Sequence, residues 1–155
     1  MTRYTRRTYT RTRRTRAARD AAQTRSARMA FVRLVVLLGG MFYLLIGISM
    51  LVQPEWFFEN AGTFPPYNRH YLGDLGSFLL PLGAGLIIAS QDPARYRVLI
   101  SIGAAGSIIH SFNHWYEVTS GAYPLAFWFT DTLPLLAFAA IFFWALWQVR
   151  PRLVR

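Results

Sequence analysis

From residue 31 onward the chain alternates long apolar blocks with short polar breaks. The blocks fall at about residues 31–52, 71–90, 98–115 and 132–149. Twenty-two helical residues reach about 33 Å, enough to cross a hydrocarbon core of roughly 30 Å. The first block is too long for the apolar part of a signal peptide, and no small-residue cleavage site follows it. The last block carries Pro134 in its first turn, where a missing N–H is tolerated. The apolar stretch YPLAFWF at 123–129 is expected to lie in the interface as an aromatic anchor, because a helix begun at Pro124 would overshoot the bilayer. In the long connection 53–70, the run PEWFF places Trp56, Phe57 and Phe58 where an outer interfacial half-turn would sit. The first 30 residues read differently. Arg alternates with Thr, Asp20 is the only acid, and there is almost nothing apolar to offset the entropy of ordering. The pattern therefore predicts an all-α, integral membrane four-helix bundle over residues 31–150. A disordered or extended Arg-rich tail precedes it at 1–30, and a short basic tail follows at 151–155.

Composition sharpens this reading. Hydrophobic residues make up 54% of the chain and charged residues 15%, yet the net charge is +10. A soluble domain carries roughly 25% charge and mixes it over its surface, so an ordinary soluble enzyme is excluded. There is no Cys, which removes disulfides and thiolate metal sites. All 17 basic residues are Arg, and 11 of them lie in the first 33 positions. With the N-terminus inside, the inner segments hold 16 of the 17, leaving only Arg69 outside with Glu55, Glu59, Asp74, Glu117 and Asp131. The excess of inner positive charge predicts an even number of spans with both termini cytoplasmic, in a cell membrane. For the tail arginines Arg3, Arg6, Arg7, Arg11, Arg13, Arg14 and Arg16, attachment to anionic lipid headgroups is the first expectation, each contributing about 1 kcal/mol near the surface. A nucleic-acid arm, with Tyr4 and Tyr9 stacking on bases, and an organelle transit peptide are the less favoured readings.

Polar residues recur inside the apolar blocks at helical spacing. The second block offers His70, Asp74, Ser77, Pro81 and Ala84; the third offers Gly103, Ser107, His110, His114 and Glu117. Each set occupies one helix face, and each is more polar toward its outer end. Asp131, just before the fourth block, belongs to the same layer. Pairs of ligating side chains at i and i+4 can reach one ion, so His70, Asp74, His110 and His114 form a candidate site for a divalent transition metal. Ser77, Asn113, Glu117 and Asp131 would hold these side chains by hydrogen bonds. The competing readings are a structural or proton-handling network and a quinone or haem contact. Asp131 or Thr132 also reads as an N-cap of the fourth helix. Gly73 and Gly76 suggest that Asp74 is buried against a neighbour. Gly39, Gly40, Gly47, Gly83 and Gly85 read as helix-packing contacts. No catalytic set is recognisable: there is no thiol, no Gly-rich phosphate loop ending in Lys, and no G-x-S-x-G.

A first span with Gly-Gly, then P-E-W-F-F, then F-P-P-Y-N-R-H-Y-L-G-D-L-G-S-F, then H-S-F-N-H-W at the end of the third span resembles small bacterial four-helix membrane proteins. In size and topology these are similar to the DoxX-like superfamily. The resemblance covers about residues 34–149 and not the Arg tail. It implies the four-span topology; the thiosulfate:quinone oxidoreduction associated with the namesake has no counterpart in these residues. The functional expectation is a membrane protein whose outward-facing His/Asp cluster binds a metal or small ligand. The alternative is a non-catalytic accessory subunit, docked into a larger membrane complex through the bundle and the Arg-rich tail.

Overall fold

A computed structural model of the protein describes the backbone of residues 3–62 and 65–149, with side chains from residue 16 onward. It is helical, with no strand among the described residues. In chain order the elements are α1 (Arg3–Val52), α2 (Pro54–Asn60), α3 (Arg69–Gln91), α4 (Arg97–Thr119) and α5 (Leu133–Gln148), the last entered through a π-helical turn at Trp128–Thr132. Three stretches are long and apolar enough to cross a membrane: Arg16–Val52, Arg69–Gln91 and Trp128–Gln148. At 23 residues α4 is as long as α3. Its polar residues His110, Asn113, His114 and Glu117 dilute its apolar content, and it falls short of the same mark.

Two elements differ from the sequence expectation. The Arg-rich segment is not disordered or extended: from Arg3 it is the first half of a single 50-residue helix. Propagating an existing helix needs no new nucleus, and no Gly or Pro precedes Gly39 to stop it. The side chains of Arg3, Arg6, Arg7, Arg11, Arg13 and Arg14, like the C-terminal tail 151–155, lie outside the described residues, while Arg16 is exposed. At the other end of the chain, helical structure begins at Trp128 rather than at 132, so part of the aromatic stretch belongs to the helix. The Leu133 N–H bonds to the Trp128 carbonyl, five residues back. Pro134, with no N–H, cannot contribute the next bond, which suits a widened turn at this point.

The PEWFF run forms α2, whose Phe57 packs with Met50 of α1 and Leu72 of α3 while Trp56 stays exposed. An Asn68 side chain caps α3, accepting from the Tyr71 N–H at 3.0 Å. At the end of α4, Gly121 takes a φ of 80° while its N–H bonds to the Val118 carbonyl and that of Ala122 to the Glu117 carbonyl. This is the left-handed helix stop that glycine permits.

Packing is closest between α1 and α3. A Cβ built on Gly40 would lie 2.9 Å from the Gly83 carbonyl oxygen, and one on Gly76 would lie 2.8 Å from that of Gly47. The partner number falls as the α1 number rises, so the two helices run antiparallel with backbones in contact at two points one heptad apart. Gly39 admits the ring of Phe142 from α5. The main core draws on four helices, through Val32 and Val36, Leu86 and Ala89, Ile100 and Ala104, and Phe142 and Ala145. A second cluster, around Met50, Phe57 and Leu72, involves only α1, α2 and α3. Toward their C-terminal and N-terminal ends respectively, α4 and α5 therefore pack on each other, with polar side chains between them.

Candidate functional site at the C-terminal end of α4

The buried face of α4 carries Ser107, Ser111 and His114 at steps of four and three. Each serine returns its hydroxyl to its own helix, Ser107 to the Gly103 carbonyl and Ser111 to the Ser107 carbonyl, both at 2.8 Å. Because the single Ser107 proton is committed there, the Tyr43 hydroxyl donates the 2.7 Å bond between Tyr43 and Ser107. That bond ties α1 to α4 across the core.

One turn beyond Ser111, His114 Nδ1 lies 2.7 Å from Asp131 Oδ2. The His114 side chain is 10% exposed and that of Asp131 31%. Oδ2 itself is sealed from solvent and receives no well-angled hydrogen bond from a described donor. The desolvation of this carboxylate oxygen is therefore offset by the imidazole beside it. The π-helical turn positions Asp131 for this contact. The N-cap reading is thus corrected: Thr132 has helical backbone angles, makes no capping bond, and Asp131 reaches α4 instead. Thr132 is fully buried, and its hydroxyl has no hydrogen-bond partner among the described residues. The ring of His110 stands edge-on to that of His114, with centroids 4.6 Å apart, and His110 is exposed.

The other expected site residues lie elsewhere. His70 Nε2 and Asp74 Oδ2 pair with each other at 3.4 Å, with side chains 89% and 64% exposed. Asp74 is thus not buried against a neighbour, and a Cβ on Gly73 would meet nothing within 4 Å, although Gly76 does approach α1. Ser77 bonds back to the Gly73 carbonyl, and Asn113 donates to Glu117 Oε1 at 3.0 Å, so neither supports a ligating histidine. Among the described residues no three His, Asp or Glu side chains are grouped to hold a metal ion. The sequence seam on α4 is split as well: Gly103, Ser107 and His114 are buried, whereas His110 is exposed. Tyr43, Ser111 and Thr132 are polar members that the sequence reading missed. Ser111 was detectable, since it completes the 107–111–114 step; Thr132 was read only as a candidate cap, and nothing in the sequence signals its burial.

Chemically, the arrangement offers two adjacent imidazoles and a carboxylate, one imidazole open to the surroundings. A carboxylate at Nδ1 fixes the orientation of the His114 ring. Comparison of the chain with family models, with curated proteins and with solved structures found no match in any of the three.

Proposed function

We propose that the protein is a four-span membrane protein of the cell membrane, both termini cytoplasmic, whose outward-facing working part is the cluster His110, His114 and Asp131. In this reading α4 is the third span, kept in the membrane by its neighbours despite its polar residues, and the bundle resembles the DoxX-like proteins in topology. The cluster binds a small polar ligand that exchanges a proton or hydrogen bond with the imidazoles. The observation that carries the proposal is the His114–Asp131 contact, in which a solvent-sealed carboxylate oxygen meets a buried imidazole next to an exposed one. Ionisable groups at membrane depth are costly and are retained at functional positions. A small ligand is favoured over a divalent metal because among the described residues no three His, Asp or Glu side chains are grouped so as to hold one ion.

Native mass spectrometry of the protein, extracted with its surrounding lipid, tests this reading. The expected result is a bound small molecule that is lost in His114→Ala and kept in His70→Ala. The same occupancy in both variants, or wild-type protein carrying lipid alone, would contradict it.

A further inference from the structure

We propose that the N-terminal extension of α1 is an arm that stands off the membrane and binds nucleic acid through its phosphate backbone, without regard to sequence. The end of the packed body on this side is marked at three places. Met29 packs on the main core together with Ala94 and Tyr96 of the α3–α4 connection, and Arg28 Nη1 meets Gln148 Oε1 of α5 at 3.4 Å. Every described side chain before this level, from Arg16 to Arg28, is exposed. The 25 helical residues from 3 to 27 extend about 37 Å beyond it. Residues 3–14, which carry six arginines, begin about 20 Å out. A headgroup layer is about 5–7 Å deep and charges are screened over about 8 Å, so the protein's own bilayer does not neutralise those arginines.

Two features weigh against the arm folding back onto lipid. Between residues 3 and 38 there is no Gly or Pro at which the helix would bend. Residues 3–28 also offer no apolar face, which a helix lying in the interface needs. An unstructured tail could hug the surface; a straight helix that continues the first span does not.

What suits the arm is a regular polyanion. It carries ten arginines and one acid between residues 3 and 28, and no lysine. The guanidinium fork matches phosphate geometry, and Tyr4 and Tyr9 are residue types that stack on bases. A duplex presents one negative charge per about 1.7 Å along its axis, so phosphates are on offer over the whole length of the arm.

The test uses full-length protein in nanodiscs, with a labelled RNA duplex of about 20 base pairs as the probe. Binding is measured between about 50 and 200 mM salt, in discs of neutral lipid and in discs containing about one third anionic lipid. The expected result is binding in both discs, within about tenfold of each other. Changing the six arginines of residues 3–14 to Gln should lower the slope of log K against log salt by as much as about five. Loss of RNA binding in the anionic discs would show that the arm lies on its own lipids and would overturn the proposal. So would an unchanged slope in the variant, or no binding in neutral discs. A spin label at residue 10 adds an independent check: it should report a position well outside the headgroup layer, and immersion in that layer would count against the arm.

Discussion

Thr132 and Asp131 are adjacent residues with the same difficulty, a buried oxygen poorly provided with partners. For Thr132 no compensation is visible, so the hydroxyl costs stability. Thr132→Val keeps the shape and removes the orphan group, and should raise the unfolding free energy by about 1 kcal/mol in thermal or denaturant melts. A loss of stability would mean that the hydroxyl has a partner. For Asp131 the partner is His114. Either His114→Ala or Asp131→Asn should destabilise the protein by about 1–3 kcal/mol, because each leaves the other group buried without its counterpart. The double variant should then cost less than the sum of the two, with a coupling of about 0.5–2 kcal/mol. Strict additivity would show that the 2.7 Å contact carries no energy. At this scale the sequence was a partial guide. Spacing put His114 and Ser107 on one face, and Asp131 at the same depth. It could not distinguish His114, which is turned into the α4–α5 contact, from His110 and His70, which are exposed, because helical period gives a common face but not which face is covered.

Among the elements, the α1–α3 pair is the most legible. Of the glycines read from the sequence as close-packing positions, Gly40, Gly47 and Gly83 are points where the two backbones touch and Gly39 admits Phe142, whereas a Cβ on Gly85 would meet only the Leu99 side chain of α4 at an ordinary 3.6 Å. A Cβ on Gly83 would lie 2.5 Å from the Leu44 backbone nitrogen, with no flexible side chain to give way. Gly83→Ala should therefore force the helices apart and destabilise the protein by about 1–3 kcal/mol, whereas Gly106→Ala, where a Cβ meets nothing within 4 Å, should leave the melting temperature unchanged or slightly raised. Equal effects at the two sites would argue against the glycine contact as the organising feature of the interface. The elements that the sequence misjudged have a common cause. The N-terminal segment and residues 128–132 were assigned from local composition, as a charged tail and as an interfacial anchor followed by a cap. In both places an adjacent apolar helix extends into the segment, and cooperative propagation outweighs the local preference.

For the molecule as a whole, hydropathy made the helical class and the three helices of membrane-crossing length readable, since both depend on the apolar pattern rather than on tertiary detail. The status of α4 is the point on which everything else turns. Two of its residues, His110 and His114, belong with Asp131 to the cluster proposed to function, and together with Asn113 and Glu117 they lower its hydropathy below that of the other three long helices. If α4 crosses the membrane, the chain has four spans and its ends are on one side; with those ends inside, as proposed, His114 and Asp131 face outward. If it does not, the orientation of α5 is reversed and the cluster loses its place. The absence of native cysteine makes this directly measurable. Single variants Ala94→Cys and Ser120→Cys, at the two ends of α4, are treated in intact cells with a membrane-impermeant maleimide. Four spans predict labelling at residue 120 and protection at residue 94 until the cells are opened; labelling of both positions from the same side would contradict the account.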